Sequence, residues 1–113
     1  MRNIELGKFG EEKGIEFLKK NGYKIIERNY RTKIGEIDII AKKKREIVFI
    51  EVKTRSSDNY GLPEGAVNQR KLKKIEKVAY LYLKLKKINL PVKFEVLSII
   101  KENDNFKFEI IPI

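Results

Sequence analysis

Two reactive side chains are missing altogether from this sequence: among its 113 residues there is neither cysteine nor histidine. Without cysteine, disulfides, thiolate nucleophiles and sulfur-ligated zinc are excluded. Without histidine there is no imidazole metal ligand, no Ser-His-Asp arrangement and no histidine general base. Any metal must be held by oxygen, which points to magnesium, manganese or calcium. Long apolar runs are missing too. Nowhere do about 18 apolar residues follow one another, and the stretch MRNIELGKFGEEKG contains no uninterrupted apolar segment. The expectation is a soluble, cytoplasmic protein. No internal repeat, low-complexity tract or linker divides the chain, and its length suits one domain over residues 1–113 with a core of its own.

Acids are scarce beside bases. Sixteen Asp and Glu face 26 Lys and Arg, giving a formal net charge of +10. A domain this basic commonly meets a polyanion, nucleic acid first and an anionic membrane second; the plainer alternative is a lysine-rich surface serving solubility. The bases cluster in two stretches, Lys19 to Arg45 and Arg70 to Lys87. In the first, two of the few acids are Glu36 and Asp38, so an acidic spot lies inside a basic surround. That pattern suits a protein that grips phosphates and holds a divalent cation among them.

The acidic spot belongs to the stretch GEIDIIAKKKREIVFIEVKTR, Gly35 to Arg55. Two short β-branched runs flank a basic tetrad, Lys42 to Arg45, which is the pattern of a β-hairpin. With the turn centred on Lys44-Arg45, Asp38 falls opposite Glu51 and Glu36 opposite Lys53. Alternation then places these four side chains on one face with Ile40 and Phe49, and Ile37, Ile39, Val48, Ile50 and Val52 on the other. Both faces are largely apolar, as in a sheet covered on both sides. Carboxylates set into such a face are costly unless a cation satisfies them.

Around this hairpin the chain reads as αβββαββ. A helix from about Ile4 to Lys20 places Ile4, Gly7, Glu11, Ile15 and Leu18 on one stripe beside Gly14, with Leu6 and Phe17 widening the apolar side. Glu11 sits on that stripe, whereas Glu12 faces solvent; the alternative for Glu11 is a boundary residue reaching out to water. Glycines at 7, 10 and 14 each cost about 1 kcal/mol of helix stability against alanine, which suggests close approach of a backbone or ligand. Asn21-Gly22 ends the helix. Tyr23 to Arg31 is a strand, Thr32 to Ile34 a turn, and Thr54 to Asn68 a long loop carrying Tyr60, a residue placed either to stack on a base or to pack the loop. A second helix runs from about Gln69 to Lys87. Leu72, Ile75, Ala79 and Tyr82 face inward, flanked by Val78 and Leu85, while Arg70, Lys73, Lys74, Lys77 and Lys84 lie outside. Asn89-Leu90-Pro91 breaks it, and strands follow over Val92 to Ile100 and Phe106 to Ile111. The layer rules then give a sheet with a helix on each face.

A lone Glu-x-Lys means little here, because Glu11-Glu12-Lys13 is a second match. Context gives Glu51-Val52-Lys53 its value: on a strand Glu51 and Lys53 share a face, and Asp38 lies across from them. The carboxylates of Asp38 and Glu51, with the Val52 carbonyl, form a reasonable oxygen ligand set for Mg²⁺ or Mn²⁺. A cation there lowers the pKa of water and screens a scissile phosphate, and Lys53 would orient that water or stabilise charge on phosphorus. Glu11 would add a ligand or hold a water if its helix covers this face. The structural alternative is a buried ion pair of Lys53 with Glu51 or Asp38.

These residues also carry a resemblance. Gly7-x-x-Gly10-Glu11, Arg28-Asn29-Tyr30-Arg31, Gly35-Glu36-Ile37-Asp38, Val48 through Arg55 (VFIEVKTR) and Ala66-Val67 with Lys71 resemble the YraN family of small bacterial proteins. That family is similar to archaeal Holliday junction resolvases and to the PD-(D/E)xK nucleases, whose core is a restriction-endonuclease-like αβββαβ unit. The resemblance covers nearly the whole chain. It implies an α/β fold with a central mixed sheet, a helix on each face and a short extra C-terminal strand. Asp38, Glu51 and Lys53 match the superfamily's acid, acid and lysine, Glu11 its first-helix acid, and Lys71 a recurring basic position at the start of the crossover helix. The chain departs from the family at Gly14, usually alanine, and at Lys93-Phe94-Glu95, usually Arg-Phe-Asp.

Two functional expectations follow. The first is a Mg²⁺-dependent endonuclease acting on DNA, at branched or structured sites, with Arg55, Arg70, Lys71, Lys74 and Lys77 holding the nucleic-acid backbone; a two-fold junction substrate would favour a homodimer. The second is a non-catalytic nucleic-acid or ribonucleoprotein adaptor built on the same scaffold.

Overall fold

In a computed structural model of the chain, residues 3–56 and 68–113 are described, the side chains of 3–7 excepted. The elements run α1 (Asn3–Lys20), β1 (Tyr23–Arg31), β2 (Glu36–Lys43), β3 (Glu46–Ser56), α2 (Gln69–Leu85), β4 (Val92–Glu102) and β5 (Asn105–Pro112). The five strands lie in sequence order in one sheet. β1, β2 and β3 form an antiparallel meander, β4 joins β3 in parallel, and β5 returns antiparallel to β4. This is the expected αβββαβ core with an added C-terminal strand, built on one mixed sheet. The parallel β3–β4 pair requires a crossover, and α2 supplies it.

The two helices cover opposite faces. On one side Ile15 and Leu18 of α1 pack with Ile39, Ala41, Val48, Ile50, Leu97 and Ile99. On the other, Ile75, Val78, Ala79 and Tyr82 of α2 pack with Ile40, Ile47 and Phe49. Strands buried on both faces explain why their sequences carry apolar runs rather than strict alternation. The glycines of α1 serve this packing. A Cβ on Gly14 would stand 2.9 Å from Ile99 Cδ1 and 3.0 Å from Leu97 Cδ2, and one on Gly10 would stand 3.1 Å from Thr54 Cγ2. What comes close is thus a layer of sheet side chains, where the sequence suggested a backbone or ligand. Ile4, Leu6 and Gly7 of the expected stripe fall among the side chains outside the description.

Both helix ends are legible. Asn21 and Gly22 close α1, with the Asn21 side-chain amide donating to the Phe17 carbonyl at 2.8 Å and Gly22 in the left-handed region at φ 88°. α2 stops at Leu85, two residues before the expected end. Lys87 takes φ 55°, its N–H donates to the Lys84 carbonyl at 3.2 Å, and the Ile88 N–H reaches back to Leu83 at 2.9 Å. These bonds satisfy the last carbonyls before the Asn89-Leu90-Pro91 break is reached. Leu85, expected to flank the inward stripe, is 70% exposed, because the helix terminates beyond the edge of the core. β3 is longer than expected: Thr54, Arg55 and Ser56 pair with Ile99, Ile100 and Lys101 of β4 instead of starting a loop. Tyr60 and the Ala66-Val67 pair lie outside the described residues. No helix among the described residues is long and apolar enough to cross a membrane.

Candidate active site at the parting of two strands

The hairpin register is the expected one from Lys43–Glu46 up to Ile39–Ile50. There the ladder stops. β2 stays with β1, down to the Arg31–Glu36 pair, while β3 follows β4 to Ser56. The expected pairings of Asp38 with Glu51 and of Glu36 with Lys53 therefore do not form. Glu36 instead meets Arg31 of β1, Nε to Oε1 at 3.5 Å. Ile37, freed from β3, packs on the α2 side with Ile40 and Tyr82 rather than with Ile39 and Ile50.

The parting would leave the Val52 N–H without a strand partner, a costly vacancy in a half-buried place. Asp38 fills it, its Oδ2 accepting from Val52 N at 2.8 Å. In a strand the N–H and C=O of one residue leave the same edge, so the Val52 carbonyl opens toward the same gap. Asp38 is thereby held by the residue next to Glu51, and its other oxygen is free of that bond.

Glu51 is anchored from the opposite quarter. Its side chain is only 10% exposed, and Lys71 Nζ donates to Oε1 at 2.6 Å. Asn68 caps α2 by accepting from Lys71 N at 2.9 Å, and this fixes the first turn of α2 where Lys71 reaches β3. The cation that the acidic hairpin demanded thus comes from the crossover helix. Lys53 is exposed, shares the Glu51 side of β3 by alternation, and lies in register with Ser98. It makes no ion pair with a described residue, so the alternative pairing of Lys53 with Glu51 or Asp38 is not what the fold adopts.

Glu11 belongs to α1, which covers the face of Val48 and Ile50 and not the face of Phe49 and Glu51, so the expected condition that its helix cover the Glu51 face is not met. Its Oε1 is buried and accepts no hydrogen bond among the described residues, with Arg28 Nη2 4.0 Å away. Arg28 bonds instead to the exposed Glu12, at 2.7 Å. The sorting of the two glutamates holds: Glu12 is solvated and Glu11 is turned inward. Arg28 stands in a recognised sequence block, but only the fold shows it between the two acids.

These charges act together on Asp38. Burial pushes its carboxyl up to about 7, and the carboxylate of Glu51 pushes the same way; the Val52 N–H opposes them, and Glu36 and Glu11 add smaller upward pushes. Asp38 and Glu51 open onto a cleft of about 230 Å³ lined also by Gly35, Glu36, Lys71, Lys74 and Ile75. Asp38 and Glu51 are the more buried charges of this lining, and Glu36, Lys71 and Lys74 the more solvated ones. Among the described residues no three carboxylates converge as a ligand cluster. The oxygen donors that fit a hard cation are Asp38, Glu51 and the Val52 carbonyl, in a site where Asp38 makes no ion pair with a described residue and Glu11 Oε1 accepts no hydrogen bond from one. Of the expected nucleic-acid contacts, Lys71 and Lys74 line the cleft, Arg70 and Lys77 lie exposed along α2, and Arg55 is half-buried farther along β3. The sequence suggests Lys71 only as a phosphate contact; its bond to Glu51 joins residues 20 apart in the chain, which no local pattern encodes.

The α/β core with a five-stranded mixed sheet is the fold that the sequence resemblance implied. The profile of the uncharacterised protein family UPF0102 matches residues 10–111. A UPF0102 protein of Thermodesulfovibrio yellowstonii is 52% identical over 99 residues, covering 88% of each chain. One from Syntrophomonas wolfei is 47% identical over 93% of this chain and 92% of its own, and one from Caldicellulosiruptor saccharolyticus 44% identical over 100% of this chain and 94% of its own. The chain belongs to the UPF0102, or YraN, family.

Proposed function

We propose that this protein is a Mg²⁺- or Mn²⁺-dependent endonuclease hydrolysing phosphodiester bonds in DNA, at branched or otherwise structured sites. The observation that carries the reading is the cleft that Asp38 and Glu51 line together with Lys71 and Lys74. Acids and ammonium groups in one cleft match a divalent cation and a phosphate held side by side. Asp38, Glu51 and the Val52 carbonyl would hold the cation, which when bound supplies charge to screen the scissile phosphate and lowers the pKa of water.

The chain's own residues divide the remaining work. The Val52 N–H fixes the orientation of Asp38. Lys53 orients the attacking water and stabilises charge on phosphorus from the same side of β3 as Glu51. Lys71, whose Nζ bonds Glu51, would join Lys74 on the phosphate backbone if a bound cation took over the neutralisation of Glu51, with Arg70, Lys77 and Arg55 extending the grip. Glu11 orients water at the α1 side through its unpartnered oxygen. A substrate with two-fold symmetry would be served by two copies.

A second reading is favoured by the Lys71–Glu51 bond together with the +10 charge: an adaptor that binds nucleic acid and keeps the acids internally neutralised. Cleavage assays across single-stranded, duplex, flap and four-way DNA, with Mg²⁺ and Mn²⁺, separate the two. The nuclease reading expects metal-dependent cutting that Asp38→Asn and Lys53→Ala abolish while DNA binding persists. Wild-type protein cutting no better than the Asp38→Asn/Lys53→Ala double variant on every substrate would sink it.

A further inference from the structure

The outer surface of α2 carries a feature that the cleft does not use. Lys73, Lys77, Tyr80 and Lys84 recur at i, i+4, i+7 and i+11 and are all exposed, so they form one stripe about 16 Å long. Tyr80 is 61% exposed, although a tyrosine gains most when its ring is covered. The other α2 tyrosine, Tyr82, is in the core, edge-on to Tyr30 and Phe49. α2 carries one acid, Glu76, half-buried one turn before Tyr80, against six bases. Lys74 of the cleft lining is six residues from Tyr80, about 9 Å along the helix axis.

An exposed ring with a lysine one turn away on either side, Lys77 and Lys84, fits few occupants. A second copy docking stripe to stripe would set lysine against lysine. Duplex DNA hides its base faces within the stack and would meet the lysines alone. An unpaired strand offers both parts of the match: phosphates for Lys73, Lys77 and Lys84, and a free base face for Tyr80. We infer that the outer face of α2 is a platform for single-stranded DNA, with Tyr80 stacking an unpaired base and Lys73, Lys77 and Lys84 holding the flanking phosphates, so that the cleft receives its scissile bond from a strand that is unpaired on the α2 side. The inference rests on the nucleic-acid reading of the cleft and deepens it, naming substrates with a single-stranded arm.

The chain contains no tryptophan, so Tyr80→Trp places one reporter on the platform without touching the core. In EDTA, where cleavage plays no part, titration with oligothymidylate should quench and saturate the emission. In anisotropy with labelled oligothymidylate, Tyr80→Ala should weaken binding about fivefold or more. Tyr80→Phe, which keeps the ring face, should stay within about twofold of wild type, and blunt duplex binding should be unchanged by all three variants. Oligothymidylate binding with unchanged emission would overturn the platform while leaving the nucleic-acid reading in place. Quenching by oligouridylate or polyglutamate but not by oligothymidylate would overturn it in favour of an RNA or an acidic protein segment. Absence of any DNA binding would overturn it too, and would remove the nucleic-acid reading of the cleft with it; loss of cleavage alone, with quenching intact, would remove only the hydrolytic reading.

Discussion

Asp38 does two things at once, and they pull its carboxyl in opposite directions. It completes the backbone of β3 by accepting from Val52, and it sits in a buried acidic field that pushes it up to about 7. Its folded-state value lies above the ordinary 3.8, so the folded protein holds the proton more tightly than the unfolded chain. The contribution of Asp38 to stability is fully present below about pH 4 and is lost as pH rises through about 7. Asp38→Asn keeps an acceptor for Val52 and removes the ionisation. It should therefore raise the melting temperature at pH 8 and much less at pH 5. Magnesium should stabilise the wild type at pH 8 and leave Asp38→Asn nearly unmoved; equal stabilisation of both would remove Asp38 from the cation site. Lys71 makes the complementary case. Lys71→Met keeps the aliphatic stem but leaves Glu51 without its partner, and should cost about 1–2 kcal/mol in urea unfolding, less than a fully buried pair because Lys71 is partly solvated. Glu51→Gln added to it should recover part of that loss, giving a coupling of about 1 kcal/mol. Saturating Mg²⁺ should recover it as well, by supplying the missing positive charge.

The elements are joined by close packing on the α1 side and by polar bonds on the α2 side. α1 rests against Leu97 and Ile99 through Gly14, and the atoms nearest a new Cβ are terminal methyl groups. Terminal methyls can turn aside where backbone cannot. Gly14→Ala gains about 1 kcal/mol of helix propensity and loses a similar amount to crowding, so its unfolding free energy should lie within about 1 kcal/mol of the parent. Gly14→Val adds branched bulk that the methyls cannot clear, and should destabilise by about 2 kcal/mol in the same measurement. α2 needs no such intimacy at its start: the Asn68 cap and the Lys71–Glu51 bond set its N-terminal turn against β3, and its core side is carried by Ile75, Val78, Ala79 and Tyr82.

At the scale of the whole molecule, the excess of ten positive charges sets how it meets a polyanion. If Arg55, Arg70, Lys71, Lys74 and Lys77 each neutralise a phosphate, the logarithm of DNA affinity should fall with the logarithm of salt with a slope of roughly −4. Lys77→Ala should bring that slope about one unit nearer zero and weaken binding to all sequences alike. A slope near zero would mean that the basic surface serves solubility. The measurement holds for nuclease and adaptor alike, and the dependence of cleavage on a divalent cation separates them.

Local information was enough for much of this protein. The order αβββαββ follows from periods of two and of 3.6 and from Gly22 and Pro91 as breaks, because those signals lie within a few residues of one another. The hairpin register over residues 39–50 follows from its two-residue turn for the same reason. Sorting Glu11 from Glu12 needed only helical spacing. The rest depended on contacts between elements far apart in the chain. That β2 and β3 part after Ile39, that Asp38 closes the gap at Val52, and that the counter-ion of Glu51 is Lys71 rather than Lys53 were decided when the parallel β3–β4 pairing drew β3 away and laid α2 across its end. Which residues carry the charge, and on which elements they ride, is set by local pattern. Tertiary structure decided which charge faces which, because a strand's neighbour and a helix's landing point are set by long-range packing and not by the residues beside them.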